Sequence, residues 1–250
     1  MKIAVFYYFT GSGNTLKAMD AVKKVFEYNN IAVRALKIEE SGGLETIEED
    51  ILGLFFPVAI QSTFPLVWDF IYELPNVQSK KVFMLDTMEQ FSGGIVGPVK
   101  KVLKEKGYEC IGAMELKMGS SMQVKTTDLE AIEKKNHDAL ELARQYAENL
   151  ILGKTHWPRV PILSDLMRGI SKDRKIWTTT SKNLEIQHAN CIRCGLCIKK
   201  CPVNALSLPS NKVVLDHNVC NVCMRCTHIC PKDAFLYKTK NVVHFNKTIQ

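Results

Sequence analysis

The residues best suited to chemistry crowd into the last 60 positions, where Cys191, Cys194, Cys197 and Cys201 precede Pro202, and Cys220, Cys223, Cys226 and Cys230 precede Pro231. Both runs read C-x2-C-x2-C-x3-C-P. They repeat at an offset of 29 residues, which also superposes His188 on His217, Ala205 on Ala234 and Leu206 on Phe235. That is an internal duplication. Each copy reads as an apolar strand, a cysteine loop, a short helical turn after the proline and a second strand, too little to bury a core alone. Three thiolates two residues apart wrap a loop around one face of a cubic iron-sulfur core and leave one iron for a distant ligand. In runs of this kind the cysteine before the proline serves the other cluster. The expected sets are therefore Cys191, Cys194, Cys197 and Cys230 for one [4Fe-4S] cluster, and Cys220, Cys223, Cys226 and Cys201 for the second. Paired C-x2-C units also hold zinc, but a four-coordinate zinc gains nothing from a third cysteine in each loop.

From about Leu184 to Lys240 this pattern resembles a bacterial-type two-cluster ferredoxin. The resemblance implies a small α+β two-cluster domain, assigned to residues 184–250.

Eight of the nine cysteines lie in that stretch, leaving only Cys110 elsewhere, and free thiols held for metal imply a reducing compartment. The opening MKIAVFYY lacks a signal-sequence pattern, and the longest apolar run, Ile51 to Ile60, is too short to span a bilayer. A cytoplasmic protein with no membrane span is expected. The net charge of +7 is uneven: residues 1–150 carry 17 Lys and Arg against 21 Asp and Glu, whereas residues 151–250 carry 16 against 5. Two oxidised clusters at a formal −2 each would lower the C-terminal charge only to about +7. A basic surface of that kind suits an acidic redox partner, and equally a set of scattered solvated lysines. No aromatic and basic interleaving of the kind that stacks bases is present, so a nucleic-acid partner is not expected.

At the other end, Lys2 to Tyr8 reads as a buried parallel strand, and Leu16, Met19, Val22, Val25 and Phe26 fall at helical spacing from Asn14 to Tyr28. Between them lie Thr10, Gly11, Ser12, Gly13, Asn14 and Thr15, at the helix N-terminus where backbone N–H groups favour a phosphate. No third glycine stands at position 16 and no Gly-Lys-Ser/Thr closes the loop, which excludes the dinucleotide fingerprint and the Walker loop. The stretch offers three hydroxyls and an amide without a cationic side chain. It resembles the FMN phosphate loop of flavodoxins, S/T-x-T-G-x-T, with Ser12 at a position the family usually fills with Thr.

Further strands at Ile31 to Ile38, Ile51 to Phe56, Lys81 to Asp86 and Cys110 to Lys117 alternate with helices near Pro65 to Leu74, Ile95 to Lys106 and Asp128 to Leu152. This alternation implies an α/β doubly wound parallel sheet. The flavodoxin resemblance implies strand order 2-1-3-4-5 over residues 1–152, with FMN over the C-terminal strand ends. Loops Pro57 to Pro65, Thr87 to Gly94 and Gly119 to Gln123 emerge there. The resemblance assigns Phe64 or Phe91 to stacking on the flavin ring, and backbone groups of Ala59, Gln61, Thr87 and Gly93 to its edge. No Trp or Tyr stands at the usual stacking places, and Trp68 reads as core.

Residues 153–183 form a connector with too many apolar residues for a free linker, with a short helix around Ile162 to Ile170 and with Trp157 and Trp177 packed at an interface. Cys110 reads as a small buried hydrophobe. His137 lies on an exposed helix stretch, and no Ser-His-Asp or Cys-His constellation can be assembled, so no catalytic side chain is assigned. The order of parts resembles prokaryotic flavodoxin-ferredoxin fusion proteins over essentially all 250 residues. That implies an electron carrier relaying single electrons between an external redox partner, two [4Fe-4S] clusters and FMN. Two alternatives stay open. One is an FMN-dependent oxidoreductase acting on a small substrate, and the other is a two-cluster ferredoxin whose flavodoxin-like domain binds no flavin.

Overall fold

A computed structural model describes residues 2–42, 48–91, 93–120, 122, 129–158 and 163–242. Asp128, Val160, Ile162 and part of the Gly119 to Gln123 loop lie outside them. The chain divides into two compact units: Met1–Phe9, Asn14–Gly119 and Lys134–Lys172 form the first, and Thr10–Gly13, Ser120–Glu133 and Asp173–Gln250 the second. The connector is thus shared out, with its change-over at Lys172 and Asp173.

The first unit is built on five strands, β1 (Ile3–Tyr8), β2 (Ala32–Lys37), β3 (Ile51–Pro57), β4 (Lys80–Met88) and β5 (Tyr108–Lys117). Their order is β2-β1-β3-β4-β5 and every pairing is parallel. Parallel neighbours require crossover connections; the helices α1 (Asn14–Tyr28), α2 (Pro65–Glu73) and α3 (Val96–Glu105) lie in three of them, and α4 (Leu129–Ile151) follows β5. Successive side chains of a strand face opposite ways. Phe6 accordingly joins Phe55, Phe83 and Leu85 against Met19, Val22 and Phe26 of α1 and Ala143 and Ala147 of α4, while Tyr7 meets Phe70 of α2 at 4.9 Å on the other face. Phe6 packs edge-on against Phe26 at 5.2 Å and Phe83 at 5.5 Å, geometry that adds about 1 kcal/mol per pair to the gain from burial.

A further helix, α5 (Leu163–Ser171), belongs to this unit and contacts α3. It lies within one residue of its expected place. Trp157 is buried and donates its indole N–H to the Val96 carbonyl at 2.9 Å, so it is a packing residue. Cys110 is only partly buried, a small departure from expectation, because it sits near the start of the edge strand β5. Its thiol is nevertheless pushed up to about 11 by burial.

In the second unit the sequence reading missed a helix, α6 (Arg174–Ser181). Asp173 caps it, its carboxylate accepting the Lys175 N–H at 2.9 Å, and Trp177 is fully buried. Then follow β6 (Leu184–Ile186), α7 (Leu196–Lys199), β7 (Leu206–Ser207), β8 (Val214–Leu215), α8 (Arg225–Ile229), β9 (Phe235–Tyr237) and β10 (Lys240–Asn241). The helical turn of each copy comes before the proline, not after it as expected. Pro202 and Pro231 push the preceding cysteine out of the helical region, and Cys230 is extended at φ −70°, ψ 117°.

The duplication survives in backbone detail. Arg193 and Val222, Gly195 and Met224, and Asn204 and Asp233 are matched pairs, and all six have left-handed φ. The strand before the first cysteine loop, β6, pairs with β9 after the second, and β7 after the first pairs with β8 before the second. Gln187 N–H donates to the Ala234 carbonyl and Asp216 N–H to that of Ala205, both at 2.8 Å. Each small sheet therefore joins a strand of one copy to a strand of the other, and β10 extends the first of them beyond β9.

Candidate cluster and phosphate sites

The crossed sheets bring thiols of one copy beside thiols of the other. Burial pushes the Cys197 thiol up to about 11, with Cys230, Cys191 and Cys194 the neighbouring thiols that push it further. Burial also raises Cys226, and Cys223, Cys220 and Cys201 lead the thiols acting on it. Cys223 is pushed up to about 12, again by burial first, against the opposing pull of the Arg225 guanidinium. Such thiols stay protonated until a cation takes their charge. Among the described residues no three His, Cys, Asp or Glu side chains gather closely enough to hold a single metal ion. The residues that fit an iron-sulfur core are the eight cysteines of the two repeated runs.

Backbone N–H groups reach the sulfurs as well. Ala205 donates to Cys201 Sγ, Ala234 to Cys230 Sγ and Val222 to Cys220 Sγ, each at 3.3 Å. The first two are the alanines matched by the 29-residue offset, so each fourth cysteine receives the same bond. Hydrogen bonds to the sulfurs and solvent exposure are two of the levers that set a cluster's potential. The loops differ in the second lever: Ile192, Arg193 and Cys194 are exposed, while Cys220, Asn221, Val222 and Met224 are buried. Arg174 at the start of α6 braces the buried loop, giving Nε to the Asn218 carbonyl at 2.7 Å, Nη1 to Asn221 Oδ1 at 2.8 Å and Nη2 to the Cys220 carbonyl at 3.1 Å.

The glycine loop after β1 is buried throughout, with Thr10, Ser12, Asn14 and Thr15 all under 8% exposed. Thr10 Oγ1 accepts the Gly13 N–H at 3.0 Å, with Gly13 at φ +94°. Asn14 Nδ2 donates to the Gly119 carbonyl at 2.7 Å, and the Thr15 and Thr87 hydroxyls share a bond of 2.7 Å. Thr10 keeps its own proton to donate, and so does one of the Thr15 and Thr87 pair. The residues present fit a phosphate.

The ring loops are more committed than expected. Phe64 is buried, with its ring 5.2 Å from Phe9, whereas Phe91 is exposed. Ala59 exchanges both backbone bonds with Ser62, and the Thr87 carbonyl accepts from Val58 N–H. The Gln61 carbonyl accepts the Gly94 N–H at 2.6 Å, which ties the Pro57 to Pro65 loop to the Thr87 to Gly94 loop. Trp68 is buried as read, but its indole N–H donates to Ser62 Oγ at 3.1 Å and the Arg168 guanidinium of α5 covers its ring at 4.0 Å. Sequence reasoning missed that α5 lies on these loops. A Cβ on Gly94 would stand 2.4 Å from Arg168 N and 2.8 Å from the Ser164 carbonyl, both helix backbone. Gly94→Ala is therefore expected to cost about 1–3 kcal/mol, measured as a lower denaturation midpoint, with earlier proteolysis inside α5. An unchanged midpoint would mean α5 is not seated there.

A family model described as "4Fe-4S dicluster domain" matches residues 190–234. Among solved structures, the chain is similar to a flavodoxin from the domain Archaea, at 17% identity and TM-score 0.43 over 60% of this chain and 99% of that one. It is also similar to oxidised flavodoxin 2 from Bacillus cereus, at 16% and 0.46 over 61% and 99%, and to rubredoxin oxygen:oxidoreductase from Desulfovibrio gigas, at 13% and 0.45 over 61% and 36%. The strand order of the first unit is flavodoxin-like and the second unit carries the dicluster match, so the chain is a fusion of a flavodoxin-like and a ferredoxin domain. The dicluster match makes the second unit an iron-sulfur domain. No helix among the described residues is long and apolar enough to cross a membrane.

Proposed function

We propose that the chain relays single electrons between an external redox partner, two [4Fe-4S] clusters and FMN. The observation that carries this reading is that thiols of the two copies act on one another, Cys230 on Cys197 and Cys201 on Cys226. When bound, FMN exchanges one or two electrons and each cluster one, so together they divide a two-electron exchange into single steps. The protein's own residues bind and orient. Cys191, Cys194, Cys197 and Cys230 hold one cluster, and Cys220, Cys223, Cys226 and Cys201 the other. The N–H groups of Ala205, Ala234 and Val222 stabilise charge on the sulfurs.

Thr10 to Thr15 receive the FMN phosphate through hydroxyl and backbone donors. Phe91 is the stacking residue, because Phe64 is spent on the core, and Gln61 and Gly93 flank the ring edge. The exposed first cysteine loop meets the partner, for which the C-terminal excess of positive charge favours an acidic surface. The seating of α5 against Gly93 and Gly94 favours a carrier over an enzyme that must admit a substrate beside the ring. Protein purified without oxygen should contain about eight irons and one FMN per chain. Eight irons with no FMN retained after flavin supplementation would leave a two-cluster carrier and remove the flavin.

A further inference from the structure

Four residues of the glycine loop, Thr10–Gly13, belong to the same compact unit as the cysteine loops. Two contacts fix them there. Arg225 is buried, and its guanidinium donates to the Thr10 carbonyl from Nε at 3.2 Å and Nη2 at 2.8 Å, while Nη1 donates to the Lys200 carbonyl at 3.2 Å. A Cβ on Gly11 would stand 1.8 Å from the Cys223 carbonyl oxygen, so the two backbones touch with nothing between them. Arg225 and Cys223 both lie in the stretch from Cys220 to Cys226, and whatever anchors those sulfurs also anchors the guanidinium and the carbonyl that the glycine loop rests on.

We infer that the second cysteine loop holds Thr10–Gly13 in its phosphate-receiving form, so that cluster assembly on Cys220, Cys223, Cys226 and Cys201 raises the loop's affinity for a phosphomonoester. This rests on the reading of Thr10 to Thr15 as a phosphate loop. Arg225 is a positioning residue in this scheme, and it also sets a fixed positive charge behind a loop that has no cationic side chain of its own. Gly11 is required for a different reason than backbone freedom: any side chain would collide with the backbone of Cys223. Coupling of this kind is reciprocal. Phosphate held by the loop must in turn slow the loss of iron from the second cysteine set.

The test compares FMN with riboflavin, which has the same ring and no phosphate, on wild-type, Arg225→Ala and Arg225→Lys proteins of measured iron content. Loss of a charge-assisted pair of bonds predicts FMN binding about 10- to 100-fold weaker in Arg225→Ala and an intermediate loss in Arg225→Lys, with riboflavin affinity unchanged. FMN, and not riboflavin, should also slow removal of part of the iron from the wild-type protein by a chelator. Equal FMN affinity in all three proteins overturns the inference, and so does a parallel loss of FMN and riboflavin. If the wild-type protein binds neither flavin, the flavin reading fails separately. The coupling is then read with inorganic phosphate, as a rise in melting temperature that Arg225→Ala lacks, and no rise in the wild type overturns it.

Discussion

The double variant Cys191→Ala/Cys230→Ala should retain about four irons per chain, whereas Cys220→Ala/Cys230→Ala should retain close to none. Under crossed ligation the first pair damages one cluster twice and the second damages both once. If each copy held its own cluster, the outcomes would exchange. The structure favours the crossed sets through two independent features. Cys197 has Cys230 as its leading thiol neighbour, and each small sheet joins a strand of one copy to a strand of the other, which brings the end of one repeat to the beginning of the other. Iron analysis with visible absorbance on anaerobically reconstituted protein reads the result. The comparison between two double variants controls for folding, because each removes two ligands.

Asp86→Asn should raise thermal stability at pH 8.5 by several degrees more than at pH 5.5. Asp86 lies in β4, fully buried, with neither carboxylate oxygen hydrogen-bonded among the described residues. Its register partner on β5 is Glu115, whose own pKa burial raises and Lys117 lowers. Burial first, and Glu115 second, hold Asp86 well above the usual carboxylate range, and the Asp86 charge in turn adds to the burial that raises Tyr146 of α4. Because the folded pKa exceeds the unfolded one, the native state binds the extra proton. Stability is therefore fullest below the unfolded pKa and falls as pH rises toward the folded pKa. The amide cannot ionise and removes that loss. Each pKa unit of displacement corresponds to about 1.4 kcal/mol, and each kcal/mol to about 2–4 °C in a chain of this size. An equal gain at both pH values would show that folded Asp86 releases no proton between pH 5.5 and 8.5.

The parallel sheet was legible because its strands are short apolar runs separated by helical periodicity, and its order followed from a resemblance carried by the loop at Thr10 to Thr15. The cysteine sets were legible because metal spacing is a local property of the chain. What escaped depended on distant residues or weak local signals. Helix α6 contains Thr178, Thr179 and Thr180, poor helix formers, and only Asp173 as its cap announced it. The helical turn was misplaced because the proline was read as starting it, when its stronger effect falls on the residue before. Phe64 looks equivalent to Phe91 in sequence, and only Phe9 beside it decides which ring is spent on the core. Gly11 reads as a flexible hinge, and the 212-residue separation from Cys223 hides its actual constraint.

The matched residues Gly195 and Met224 bear on how the repeat diverged. Gly195 has open space where a side chain would go, while Met224 adopts the same left-handed backbone and buries its side chain in the core of the second unit. One copy has the residue that eases the turn, and the other carries backbone strain of about 1–2 kcal/mol alongside its packing. The two copies are thus no longer interchangeable, in backbone or in packing.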